Sequence, residues 1–169
     1  MNNQVFLTNY KNDLELLFKI HYKKLVTKNI NISFLEVAES VFSELNIKLP
    51  SLENLDFLKN WYNQIHNLSF LLEISKIENL NEIIIHNNDF SQIHLKNKKE
   101  NHQISNLSEE DYQIAIEVFA QRNNISWNYS NPFVSFTSNI SGISFRVSLI
   151  HFSTSATKVS KVFFKKNSK

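Results

Sequence analysis

Ser141-Gly142-Ile143-Ser144-Phe145-Arg146-Val147-Ser148-Leu149-Ile150 is the stretch that decides the fold. Ile143, Phe145, Val147 and Leu149 alternate with Ser144, Arg146 and Ser148. A period of two sends the apolar side chains to one face of a strand and the polar ones to the other. Just ahead, Asn139-Ile140-Ser141-Gly142 reads as a turn, with the chain's one glycine where positive φ is cheapest. Phe133–Thr137 enters that turn after Pro132, so the segment predicts a hairpin with one face in a core.

Toward the C-terminus, a polar loop, Ser153–Lys158, leads to a last strand over Val159–Lys166. Toward the N-terminus, Glu82–His86 is rich in β-branched residues, Asn87-Asn88-Asp89 is a turn cluster, and Phe90–Lys96 alternates. These features predict a second hairpin, with a further strand near Gln103–Ile104. Between the hairpins, Ser108-Glu109-Glu110-Asp111 opens a helix, its acids in the first turn where the helix dipole favours them. Tyr112, Ala115, Ile116, Phe119 and Ala120 fall on one face of it.

The first part of the chain reads helical. Leu14, Leu17, Phe18, His21, Tyr22 and Leu25 share a face. Ser33-Phe34-Leu35-Glu36 is a capping box, and its helix is expected to bury Leu35, Ala38, Val41, Phe42 and Leu45. Pro50-Ser51 punctuates the chain, with Ser51 as the expected N-cap of a helix presenting Leu55, Leu58, Tyr62 and Ile65. A short apolar segment, Leu68-Ser69-Phe70-Leu71-Leu72, follows. The expected organisation is a helical extension over 1–49 and an α+β domain over 50–169. In that domain a small antiparallel sheet carries helices on one face.

Composition narrows the function. With 42% hydrophobic residues and 14 Phe among 169, the chain can bury an aromatic core. A net charge of +2 without a basic stripe argues against nucleic acid; only Lys158, Lys161, Lys165, Lys166 and Lys169 lean basic. The lack of cysteine excludes disulfides and thiolate chemistry. Met1-Asn2-Asn3-Gln4-Val5 lacks the features of a signal peptide, and no apolar run reaches the ~18 residues of a membrane span. A soluble, cytoplasmic protein is expected.

Few residues point to catalysis. One glycine cannot build a phosphate-binding loop or a dinucleotide fingerprint, and there is no H-E-x-x-H. The expectation is no catalytic residue and no metal. His86 and His94 could hold a metal with Asp89, but solvent-facing strand residues are the plainer reading. His151 near Ser153 or Ser155 lacks a nucleophile elbow. Glu109, Glu110 and Asp111 read as capping acids. Trp61, Tyr62, Trp127 and Tyr129 lack interleaved Arg or Lys and read as packing residues rather than base-stacking ones. Arg146 differs, since the chain keeps only two arginines, Arg122 and Arg146. Arg at a strand centre suggests a fork-shaped contact that Lys cannot make, and the plain alternative is a pair with a neighbouring carboxylate.

Three segments carry a family resemblance. Leu68–Ile74 with Leu80–Asn87 resembles the pattern G-P-L-x-x-L-L-x-D-x-x-V-T-E-I-x-V-N-G of the type II/IV secretion ATPases. Pro132–Phe136 with Ser141–Ile150 resembles S-P-x-x-D-x-x-x-x-D-G-x-R-V-x-x-I. Val162–Lys166 resembles L-T-I-R-K. Together they are similar to the N-terminal domain of that superfamily, nearest in layout to the CpaF-like, tad-pilus branch. Asn67 and Ser69 stand where the family has Gly and Pro, and His151-Phe152 where it often has a proline pair.

The resemblance implies a non-catalytic docking or regulatory domain on a hexameric ring, beside a RecA-like motor that these residues do not include. It implies that Arg146 reaches nucleotide phosphate, with Lys165 in the place of a second Arg. ATP and Mg²⁺ enter only with a motor domain. The implied partners are a complete secretion or pilus ATPase or a motor domain of its own, the cytoplasmic part of an inner-membrane platform protein, and further copies of the chain in a ring homo-oligomer. Two alternatives stand beside this: a nucleotide-gating part of a longer ATPase, and an interaction scaffold unrelated to secretion motors.

Overall fold

The computed structural model describes residues 7, 9–103 and 107–167. They fall into two compact units, Met1–Asn63 and Gln64–Lys169. Ile104 and Lys169, named in the expectations above, lie outside the described residues.

The first unit is helical. Helix α1, Lys11–Val26, buries Leu14, Phe18, Tyr22 and Val26, while Leu17 and Leu25 are half-buried. Helix α2, Phe34–Glu44, starts at the expected capping box. The Glu36 amide donates to Ser33 Oγ at 3.2 Å and the Ser33 amide to Glu36 Oε2 at 2.8 Å, which holds the Glu36 carboxyl below its ordinary range. Two core positions differ from expectation. Leu35 is 41% exposed and Leu45 half-buried, whereas Phe34 and Val37 are buried. Phe34, Val37, Ala38 and Val41 form one i, i+3, i+4, i+7 stripe, and the aromatic ring at its head sets the helix phase. Ser51 makes no side-chain cap. Its carbonyl instead accepts from the Asn54 amide at 3.0 Å, starting a 3₁₀ turn over Leu52–Leu55 that runs into helix α3, Asp56–His66. Leu55, Leu58, Tyr62 and Ile65 are buried as expected. Phe18, Tyr22, Phe34, Trp61 and Tyr62 meet with ring centroids 5.3–6.0 Å apart, mostly edge to face, the arrangement ring quadrupoles favour.

The second unit holds a six-stranded sheet in the order β3-β2-β1-β6-β5-β4, antiparallel throughout. Its strands are β1 (Leu80–Ile85), β2 (Phe90–Leu95), β3 (Lys99–Gln103), β4 (Phe133–Ile140), β5 (Ile143–Ile150) and β6 (Lys161–Lys166). The apolar segment before β1 becomes a 3₁₀ turn, Ser69–Leu71, and a single helical turn α4, Leu72–Ser75. Ser141 and Gly142 have φ of 53° and 78°, the two successive positive values of a type I′ hairpin turn. The turn is therefore shorter than expected: Asn139 and Ile140 belong to β4, and Ile140 pairs directly with Ile143.

Helix α5, Glu109–Arg122, covers one face of the sheet. Ser108 Oγ accepts the Asp111 amide at 3.1 Å and caps it. Phe119 packs on Phe136 and Phe164, with centroids 5.6 and 5.8 Å away. Tyr112 is fully buried and donates to the Ser160 carbonyl at 2.7 Å; burial pushes its phenol pKa up. That bond occupies Ser160 at the entry to β6, which begins at Lys161 rather than at the expected Val159. The architecture is α+β: helices first, then the antiparallel sheet with α5 between its strands. No described helix is long and apolar enough to cross a membrane.

Candidate functional site

The sheet's other face carries the residues singled out from the sequence. One cross-sheet row reads Thr137, Arg146, Lys165, Glu82, His94, Lys99 from β4 to β3. Arg146 and Lys165 are directly opposed on neighbouring strands, with Cα atoms about 4.5–5.5 Å apart by antiparallel geometry. Both are exposed. Like charges facing each other across a ladder destabilise it, by roughly 1 kcal/mol or less once solvent screens them. Glu82, on the far side of Lys165, lies 3.6 Å from His94 Nδ1 instead. Among the described residues neither Arg146 nor Lys165 has an ion pair, so the carboxylate-pair reading of Arg146 finds no support there. A guanidinium fork beside an ammonium suits a tetrahedral oxyanion, which accepts bidentate charge-assisted bonds and relieves the repulsion.

The other candidates separate. In the β1–β2 register His94 faces Glu82 and bonds Gln92 at 3.0 Å. His86 stacks on Phe90 at 5.3 Å, and burial first, then Lys161 and His94, hold its pKa below the ordinary value. Asp89 sits in a turn where Asn87 Oδ1 accepts from both the Asp89 and Phe90 amides at 2.8 Å. Among the described residues no three His, Asp or Glu converge as metal ligands. His151 Nδ1 lies 2.8 Å from Ser153 Oγ and accepts the Ser153 amide at 3.3 Å. It caps the 3₁₀ turn Phe152–Thr154, packed by Phe152, Tyr129 and Trp127 at 4.2–5.1 Å. Ser155 bonds Thr157 at 3.1 Å. This is a local cap rather than a base aimed at a nucleophile.

Arg122 has a role that sequence reasoning missed. Its guanidinium donates to the His66 carbonyl, a tie inside the second unit between the end of α5 and the residue that starts the segment leading to β1. Beside it lies a cavity of about 320 Å³ lined by His66, Asn67, Arg122, Asn123, Ser138 and Ser141, among others. His66 is 6% exposed. Burial, then the Arg122 charge, lowers its pKa to about 4. The one available signal was that a lysine-rich chain keeps an arginine here at all.

No family model matches the sequence, and no curated protein matches it. Fifteen chains of solved structures do match. One is the VirB11 ATPase of the Brucella suis type IV secretion system, in complex with sulphate. The match has a TM-score of 0.53 and 15% identity, and covers 60% of this chain and 31% of that one. The chain thus spans under a third of that ATPase's length, and the likeness is one of fold.

Proposed function

We propose that this chain is a non-catalytic docking and regulatory module of a bacterial secretion or pilus-assembly ring ATPase. The observation that carries the reading is the fold shared with part of a secretion ATPase, joined to the order of the sequence segments that resemble that superfamily's N-terminal domain. The exposed Arg146–Lys165 pair favours a more specific role within it. The two cations meet the phosphates of a nucleotide held by a RecA-like motor, on the same polypeptide or on a neighbouring one. ATP and Mg²⁺ belong to that motor. The module works at the cytoplasmic side of the inner membrane, where the cytoplasmic part of a platform protein is its second partner.

The test uses the endogenous polypeptide. Its intact mass, against 19.8 kDa for these residues, says whether the motor is attached. If it is not, secretion ATPases of the same genome are co-purified with the chain. ATP turnover of the assembly is then compared with that of Arg146→Ala, which should lower it about tenfold or more. Unchanged turnover in an intact assembly removes the phosphate role. No attached motor and no co-purifying ATPase removes the docking role.

A further inference from the structure

The two edges of the sheet differ. β3 carries Lys99, Glu100 and His102, with Lys98 just before it, a charged edge of the kind that resists pairing with another chain. β4, Phe133-Val134-Ser135-Phe136-Thr137-Ser138-Asn139-Ile140, has no charge, proline or glycine over eight residues. It pairs with β5 in unbroken register, so no bulge twists it away. A long, neutral, regular edge invites another strand.

Backbone directions define what this edge offers. The His151 amide donates to the Pro132 carbonyl at 2.9 Å, so Pro132 faces β5. Antiparallel strands alternate residues that bond toward a neighbour with residues that bond away from it. The two-residue turn requires Ile140 to face β5 as well, and the even-numbered positions between follow. Phe133, Ser135, Thr137 and Asn139 therefore turn their amides and carbonyls outward. All four residues are exposed, and these groups have no partner among the described residues.

We propose that β4 is a self-association edge. A second copy of this chain adds its own β4 antiparallel across a two-fold axis, joining two sheets into one. The outward set is self-complementary. Centred on Phe136, Phe133 meets the second copy's Asn139 and Ser135 meets its Thr137, and the reverse, so every outward amide and carbonyl is paired. Charge permits it. Arg146 is the only charged side chain of the β4–β5 hairpin, one strand in from the edge. Its two copies stand three strand spacings apart, about 14 Å across the sheet, beyond the ~8–10 Å over which salt screens exposed charges. This proposal is independent of the secretion reading.

The chain has no cysteine, so the register can be tested by cross-linking. Ser135→Cys and Thr137→Cys proteins are mixed and oxidised. Opposed residues of a hydrogen-bonded pair have Cα atoms about 5.5 Å apart, within the ~4.4–6.8 Å that a disulfide spans. Either variant alone places its two cysteines roughly 9 Å apart. The mixture should give a covalent dimer in several-fold excess over either variant alone. Wild type should sediment at twice 19.8 kDa, and Ser135→Lys, with unchanged circular dichroism, should return to the single mass. A wild type that stays monomeric at about millimolar concentration overturns the proposal. So does equal cross-linking in all three samples, or an assembly indifferent to Ser135→Lys.

Discussion

The two faces of the sheet are held to different standards. On the α5 side Ile83, Ile93, Phe145, Val147 and Phe164 are all 0% exposed. Close-packed surroundings leave such positions little choice of volume or polarity. On the opposite side Arg146, Lys165, Glu82 and His94 share the surface with Phe163, Ile84 and the 62%-exposed Phe133. Packing constrains those identities less, since Phe163, Ile84, Glu82 and His94 are half-buried and Arg146, Lys165 and Phe133 are exposed.

Phe163 and Phe164 give the sharpest form of the contrast, since they are the same residue one pleat apart on β6. Phe164→Ala should cost about 3–5 kcal/mol of unfolding free energy by urea titration, as buried Phe truncations do. Phe163→Ala should cost about 1 kcal/mol, the loss of a half-buried ring. Equal losses would mean that the outer face is covered as tightly as the inner.

Acid should act through the buried His66 beside the Arg122 cavity. The His66 pKa lies at about 4 in the folded chain against an ordinary 6.5, so the unfolded chain takes up the proton first. Stability is full above about pH 6.5 and falls as pH drops toward 4, by roughly 2–3 kcal/mol. Urea midpoints for His66→Gln across that window should be correspondingly flatter, and parallel curves would remove His66 as the cause. A smaller effect belongs to α5. Tyr112→Phe keeps the ring but leaves the Ser160 carbonyl without its donor, a loss of about 1 kcal/mol in thermal unfolding. The smallest is expected at Arg146→Ala, within about 0.5 kcal/mol of wild type and on the stabilising side if relief of Lys165 dominates. A loss above about 2 kcal/mol would make Arg146 a structural residue and erase the contrast between the faces.

Much of this architecture is legible in sequence because its determinants are local. The β4–β5 hairpin shows itself through alternation and Gly142, α5 through Ser108 and its apolar stripe, and α2 through the Ser33–Glu36 box. Strand β3 shows little, since Lys99-Glu100-Asn101-His102-Gln103 is a polar edge with no apolar period to detect. The phase of α2 is ambiguous in sequence because local spacing admits both Leu35 and Phe34, and tertiary packing chooses Phe34. At the candidate site, alternation assigns Arg146 and Lys165 to a face but leaves open which residue opposes which. Register depends on strand pairing outside any local window. The Arg122–His66 tie is invisible for the same reason: its acceptor is a backbone carbonyl far along the chain.

The seam between β1 and β6 runs down the middle of the sheet and joins residues from opposite ends of its unit, Glu82 to Lys165 and Ile85 to Val162. Each hairpin can close by itself in about 1–10 μs. The seam must wait for a long loop to close, an entropic cost met before any contact rewards it. Refolding should therefore be limited at this line, with substitutions at Ile83 slowing it while a strained turn, as in Gly142→Ala, mainly speeds unfolding. What is one sheet at equilibrium is, in time, two ribbons that meet late.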